Sequence, residues 1–378
     1  MLPAAAPSPL WRWDLFCRVV DNFGDVGVAW RLAADLAARR HAARLWVDDA
    51  SALAWMAPGG APGVEVRAWA DAADGGDVPG DVVVELFGCD PPDPFLAAMA
   101  ARPVPPTWIN LEYLSAEDYV ERSHGLRSPQ NSGPGRGLDK WFFYPGFTAA
   151  TGGLLREPGL AATQAGFDPA AWLAAAGLSR APGERLCSLF CYPDADIGAL
   201  LDALARGGER WVVATAPGAA SAWAQAIRGW PAGIRPHALP WLPQPDYDRL
   251  LWAADLNVVR GEDSFVRAQW AGKPFLWQIY RQEDGAHADK LQAFLARQVA
   301  AGAVDAAQPA QAAWLAWQRA WNGVAAAPAA LDAGTPVLPA WGRDLLADCG
   351  EAAGRWRAHL RRQTDLVSAL IAFIQQKR

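Results

Sequence analysis

The stretch RVVDNFGDVGVAWRLA, residues 18–33, sets two aspartates, Asp21 and Asp25, around a short turn where a hydrophobic run gives way to a helical pattern. Asn22 and Gly24 favour the turn, so both carboxylates could face one crevice, an arrangement suited to a cation. The same residues also suit a plain helix start, with Asp25 as the N-cap of a helix beginning at Val26 and Asp21 in an Asx-turn. One carboxylate can serve both readings, because a helix N-terminus favours negative charge.

A second group lies in DLNVVRGEDSFVRAQWAGKPFLWQIY, residues 255–280. A buried strand ends at Val259, a glycine turn follows, and Asp263 or Ser264 opens a helix whose unpaired N–H groups would point over the strand end, where they can bind phosphate without a Walker lysine. Arg260 would add a cationic contact. Glu262 is better placed for a sugar hydroxyl or ribose than for phosphate. A capped helix start with surface charges is the plainer alternative, but four polar groups in five positions after a buried strand favour a binding site. A third group is aromatic: Trp241 and Tyr247 in LPWLPQPDYDRLLW, with Phe190 and Tyr192 in LFCYP, could sandwich a flat base.

The surrounding elements follow from periodicity. Residues 13–20 read as a buried strand and 26–39 as a helix, and ARLWVDD, GVEVRAWA, DVVVELFG and PTWINLEY continue the alternation, implying parallel strands covered by helices. Residues 123–140, rich in Gly, Ser and Pro, read as a mobile surface loop. The strand pattern restarts at ERLCSLFCYP, which places a junction near residue 180: a first α/β domain over 1–178 and a second over 179–353. The segment RWRAHLRRQTDLVSALIAFIQQ reads as one long amphipathic helix, 354–378, that packs back on the first domain.

Composition narrows the function. The 378 residues are 52% hydrophobic and 20% charged, as in a soluble globular protein, and a net charge of −6 disfavours nucleic acid as a partner. Most of the 21 tryptophans must be core. Five cysteines, scattered in apolar runs, read as buried thiols in a reducing compartment, and the five histidines show no metal-ligand spacing. No apolar run reaches membrane-spanning length and no signal peptide is evident, so the expected location is cytoplasmic. Neither a G-x-G-x-x-G after a strand nor a G-x-S-x-G elbow occurs, which counts against a dinucleotide dehydrogenase and an α/β-hydrolase.

The blocks DNFGDVGVAWRLA, NLEYLSAEDY, LDKWFFYPGF and PDYDRLLWAADLNVVRGEDSFVRAQWAGKPFLWQIYRQEDGAH, in this order over residues 13–295, resemble the bacterial protein-arginine rhamnosyltransferases that modify elongation factor P. The resemblance implies a GT-B glycosyltransferase: two facing Rossmann-like domains with a cleft between them, the acceptor on the first and the nucleotide sugar on the second. It further implies dTDP-β-L-rhamnose as donor, an arginine at a loop tip of elongation factor P as acceptor, inversion at the anomeric carbon, and neither metal nor cofactor. The modified factor would then rescue ribosomes stalled at polyproline. By motif, Asp25 resembles the general base and Asp21 its companion. Glu262, Asp263 and Ser264 resemble the donor-handling EDS, with Arg260 and Tyr280 beside it. Tyr247, Gln244 and one of Phe190 and Tyr192 would hold thymine and deoxyribose.

That chemistry explains why two carboxylates would sit in one loop. A guanidinium stays protonated in water, with a pKa above about 12, and is a poor nucleophile. Two carboxylates can bind it as a planar fork and orient one nitrogen, with Asp25 taking the proton late, as the C–N bond forms. The competing readings are a GT-B enzyme with another acceptor and a noncatalytic nucleotide-sugar binder.

Overall fold

The computed structural model describes residues 10–20, 23–282, 285–324 and 338–378. They divide into two compact units, one of residues 1–114, 119–158 and 364–378, the other of residues 115–118 and 159–363. The chain thus passes to the second unit after Pro158, about twenty residues before the junction expected near 180, and the short helices preceding the second sheet belong to that sheet's unit.

In the first unit the chain runs β1 (Arg12–Cys17), α1 (Gly24–Ala38), β2 (Ala42–Val47), α2 (Leu53–Met56), β3 (Val64–Ala68), α3 (Trp69–Ala73), β4 (Val82–Leu86), α4 (Asp93–Ala101), β5 (Thr107–Leu111), α5 (Asp118–Ser123), β6 (Arg127–Pro129) and β7 (Asp139–Phe143). The strands order as β3-β2-β1-β4-β5-β7-β6, all parallel except β6. Central strands such as VVVEL of β4 are buried along their whole length, as expected where helices cover both faces of a parallel sheet. The order reverses between β1 and β4, and open α/β sheets bind ligands in the crevice outside the strand ends at such a point. Asp25 follows β1 there.

Residues 123–140 are not the structureless loop expected from composition. Arg127–Pro129 pairs antiparallel with Asp139–Trp141, and only the tip between them keeps the Gly- and Pro-rich character that suggested a loop. The expected single helix over 354–378 is likewise two. α14 (Arg343–Arg361) stays in the second unit, where Trp356 Nε1 donates to Gln269 Oε1 at 2.7 Å, whereas α15 (Leu366–Lys377) joins the first. Asp365 caps α15 by accepting from Ser368 N at 2.9 Å, and the same carboxylate receives Arg39 Nη2 at 2.7 Å. Leu366, Val367, Leu370 and Ile374 then enter the core against α1, each contributing about 1.5–3 kcal/mol through burial. Gly153, at φ +71°, makes room for this crossing, since a Cβ there would collide with the Thr364 carbonyl.

The second unit continues with α6 (Leu160–Ala165), α7 (Pro169–Ala175), β8 (Glu184–Leu189), α8 (Ile197–Arg206), β9 (Arg210–Thr215), α9 (Ala219–Ala226), β10 (Ile234–Ala238), α10 (Gln244–Ala253), β11 (Leu256–Arg260), α11 (Asp263–Ala271), β12 (Phe275–Gln278), α12 (Ala286–Ala300) and α13 (Pro309–Trp321) before α14. Its parallel strands order as β10-β9-β8-β11-β12, with the reversal between β8 and β11. The outer edge of β12 is closed by side chains instead of a strand. Trp314 Nε1 and Gln318 Nε2 donate to the Phe275 carbonyl at 2.7 and 2.8 Å, Trp277 N donates to Gln318 Oε1 at 3.0 Å, and Ile279 N donates to Asn322 Oδ1 at 2.8 Å. These partners recur every fourth residue, one stripe along α13, and they remove an exposed edge that would otherwise invite pairing.

One buried charge in the first sheet predicts a pH-dependent stability. Glu85 on β4 is fully buried, accepting from Lys140 Nζ at 2.7 Å and Trp108 Nε1 at 2.9 Å. Burial pushes its carboxyl up to about 7, the pairing with Lys140 offsetting this only in part. For Lys140, burial opposes the charge but Glu85 and Asp90 outweigh it, raising its pKa. A carboxyl with a raised native pKa binds its proton more tightly folded than unfolded, so stability falls as pH rises from about 4.5 to about 7 and is level above. Lys140 contributes no slope in that window. Glu85→Gln is expected to flatten this part of the profile, reducing the loss between pH 5 and pH 8 by on the order of 2–3 kcal/mol. Urea unfolding at those two pH values measures it, and an unchanged wild-type slope in the variant would assign the effect elsewhere, such as to Asp35, which burial raises to about 6.

Candidate active site

Each unit carries a set of polar and aromatic residues at its own switch point. In the first, α1 begins at Gly24 with Phe23 as N-cap, so Asp25 is not the cap that local sequence allowed but lies in the first turn. With the capping role vacant, its side chain turns to other partners. It is 3% exposed; Oδ2 accepts from Val20 N at 2.8 Å and Oδ1 receives the Tyr113 hydroxyl at 3.4 Å. Asp21 lies outside the described residues. At the end of β5 stand two residues that sequence patterning did not single out, of which Tyr113 touches Asp25. Tyr113 stacks on Phe87 with ring centroids 4.1 Å apart. Glu112 accepts from Asn110 Nδ2 at 2.9 Å, and burial raises its pKa. The signal that could have found them is their place in NLEYLS, immediately after a strand next to the switch point.

In the second unit, Arg260 ends β11, Gly261 turns at φ +62°, Glu262 is the N-cap, and Asp263 and Ser264 open α11. The Trp277 indole holds the Gly261 carbonyl at 2.8 Å. Ser264 Oγ donates to the Arg260 carbonyl and accepts from Arg260 N at 3.2 Å, so its hydroxyl closes the turn that leads into the helix. Glu262 and Glu117 are the charged neighbours of Lys290 on α12, whose pKa is lowered by burial against the pull of both carboxylates.

The aromatic residues gather at the same strand ends. Phe190 packs edge-on against Tyr247, centroids 6.0 Å apart, and Tyr192 against Tyr280 at 5.7 Å. The Arg260 guanidinium covers a face of both Phe190 and Tyr192, 4.5 and 4.4 Å from the ring centroids. A base stacked on either ring must therefore use another face or share the site with this cation. Tyr247 is half-buried; burial of its hydroxyl drives the pKa well up, and Ser264 and Arg260 restrain the rise. Gln244, also buried, donates to Asp263 Oδ2 at 3.4 Å, while Tyr280 and Trp241 are 52% and 41% exposed. Gln278, which the sequence reading passed over, fixes the loop that carries Tyr192. Its Oε1 accepts from Tyr192 N at 2.7 Å and its Nε2 donates to Asp194 Oδ1 at 2.9 Å. Gln278, Asp194, Arg281 and His287 also wall a cavity of about 190 Å³.

The structure thus brings Arg260, Glu262, Asp263, Ser264, Gln244, Tyr247, Phe190, Tyr192 and Tyr280 together at one switch point, and sets Asp25 at the other. A helix N-terminus, a cation and clustered aromatics suit a nucleoside diphosphate, whereas a held carboxylate suits a cationic group. Among the described residues no group of three or more His, Cys, Asp or Glu could hold a metal ion, and no helix is long and apolar enough to cross a membrane. All five cysteines are free, and burial raises the thiols of Cys191 and Cys349 to about 12.

Two parallel α/β units with ligand-type loops at both switch points define a GT-B glycosyltransferase. The glycosyltransferase VinC, solved in complex with dTDP, shares the fold at a TM-score of 0.52 and 12% identity, over 97% of this chain and 100% of that one. The chain belongs to the family described as the elongation-factor P (EF-P) rhamnosyltransferase EarP, whose profile matches residues 13–375. It is 44% identical over 385 residues to the protein-arginine rhamnosyltransferase of Pseudomonas putida, covering 96% of this chain and 98% of that protein. A solved structure described as the basis for EarP-mediated arginine glycosylation of translation elongation factor EF-P matches with a TM-score of 0.65 at 31% identity, over 97% of this chain and 100% of that one.

Proposed function

We propose that this protein transfers L-rhamnose from dTDP-β-L-rhamnose to the side chain of an arginine in translation elongation factor P, activating that factor for ribosomes stalled at polyproline. The observation that carries the reading is the buried Asp25 carboxylate, held at both oxygens, in a chain 44% identical to a protein-arginine rhamnosyltransferase. Its acceptor is a translation factor, so the protein would work in the cytoplasm.

In this mechanism Asp25, with Asp21, binds the guanidinium and turns one nitrogen toward the anomeric carbon. The C–N bond forms as the bond from that carbon to the dTDP oxygen breaks, and the nitrogen's proton passes late to Asp25. Attack from the face opposite the diphosphate inverts the anomeric centre. The N-terminus of α11 and the Arg260 guanidinium offset charge on the departing diphosphate, so the step invokes no metal ion. Glu262 takes a hydroxyl of the sugar, Asp263 and Ser264 complete the donor site at the start of α11, and Gln244, Tyr247, Tyr280 and an aromatic of Phe190 and Tyr192 hold the nucleoside.

Intact mass spectrometry of unmodified elongation factor P, incubated with this protein and dTDP-β-L-rhamnose, tests the reading. A single deoxyhexose on the wild-type factor, and none when the loop-tip arginine is changed to lysine, is the expected result. No addition while calorimetry still registers donor binding would assign the enzyme another acceptor.

A further inference from the structure

We infer that Tyr113 is a positioning residue for Asp25, and that Phe87 is held in a left-handed conformation in order to fix Tyr113; the inference rests on the role proposed above for Asp25. Phe87 directly follows β4 with φ +59°, one of two non-glycine residues with positive φ among those described. A bulky L-residue rarely occupies that region, because its Cβ crowds the backbone, and such conformations persist only where the surroundings enforce them. Here they do. Phe87 N donates to the Leu111 carbonyl at 2.7 Å and Gly88 N donates to Asn110 Oδ1 at 3.2 Å, so the end of β4 is pinned to β5. Glycine would take this turn without strain and already does at the next position, Gly88, φ +73°.

What phenylalanine adds over glycine is a ring, which packs against the core of the first unit and stacks on Tyr113. It lies 11° from parallel to Tyr113 with centroids 4.1 Å apart. Tyr113 is 39% exposed, and the stack narrows the rotamers open to a tyrosine on a surface loop. With its plane set, the hydroxyl points at Asp25 Oδ1, while Val20 N occupies Oδ2. Both carboxylate oxygens are therefore oriented from outside the helix that carries them. The 3.4 Å separation is long for a hydrogen bond, as such contacts often are before substrate closes the site. All these groups cluster at the strand-order reversal between β1 and β4, where a ligand-directed function explains retained backbone strain.

Tyr113→Phe keeps the stack and removes only the hydroxyl. With elongation factor P and dTDP-rhamnose, kcat is expected to fall about tenfold. The acidic limb of the kcat/KM profile should also move to higher pH, because a hydroxyl donating to a carboxylate favours its charged form. Donor affinity by calorimetry and the melting temperature should stay at the wild-type values, which separates positioning from folding. Phe87→Leu, which removes the stack but leaves the Tyr113 hydroxyl, should show the same kinetic change, and Phe87→Tyr should retain activity. If Asp25→Asn is inactive while Tyr113→Phe matches wild type in both kcat and pH profile, the positioning role is wrong and the Asp25 assignment stands. If Asp25→Asn itself keeps wild-type turnover, both fall together.

Discussion

Asp25→Asn is expected to lower the rate of rhamnosyl transfer to elongation factor P by about 10³-fold, within the range a positioned proton acceptor contributes, while the affinity for dTDP-rhamnose stays as it was. Asparagine keeps the volume, and its carbonyl oxygen can still accept from Val20 N or from Tyr113. It loses the negative charge that holds a guanidinium and the capacity to take its proton. The group is buried in the first unit, whereas the residues suited to the nucleotide lie in the second, so binding and chemistry should separate cleanly. Single-turnover mass spectrometry together with calorimetry reads both quantities. Turnover within a few-fold of wild type, with donor bound normally, would remove Asp25 from the mechanism.

The second large effect is structural. Arg267 on α11 and Asp248 on α10 form a buried ion pair, 2% and 5% exposed, with Nε and Nη2 donating to the two carboxylate oxygens at 3.0 and 2.8 Å. The helices they join carry Glu262, Asp263 and Ser264 on one side and Gln244 and Tyr247 on the other, so the pair sets the spacing of the donor-binding residues. Removing one partner leaves an uncompensated charge in the core, at a cost of about 3–5 kcal/mol. Asp248→Ala should therefore lower the melting temperature by roughly 10 °C and weaken dTDP-rhamnose binding. Since a well-packed apolar pair can replace a buried ion pair with little loss, Arg267→Met combined with Asp248→Leu should recover much of the melting temperature. Differential scanning calorimetry measures this. A single variant that melts with the wild type would show that the pair contributes no net stability.

Much of the architecture is a local property of the chain. Strand and helix alternation, with buried runs such as VVVEL and LNVV, is enough to demand parallel sheets covered by helices, and two rounds of it give two α/β units. The candidate loops were legible for the same reason: a strand, a glycine and charged or polar residues at a helix start fall within one short window, as at 12–25 and 256–264. Residue-type arguments also brought forward the aromatics of LFCYP and PDYD. The helix break at Asp365 carried a local signal too, the N-cap spacing D-x-x-S, but it was masked by amphipathic periodicity on both sides of the break.

The sequence by itself therefore determined most of the elements and the loops that join strand to helix, because period and turn chemistry act between near neighbours. Only the tertiary structure decided the strand order, and with it the two reversals that make particular strand ends into sites. It placed Tyr113 against Asp25 across 88 residues and Gln278 beneath the Tyr192 loop across 86. It laid Arg260 over the two aromatic rings, returned α15 to the first unit, and paired residues 127–129 with 139–141 where composition read loop. The physical reason is common to these cases. A hydrophobic pattern states which face of an element must be covered, but which distant element covers it is settled by packing, hydrogen-bond satisfaction and chain crossings that no local window contains.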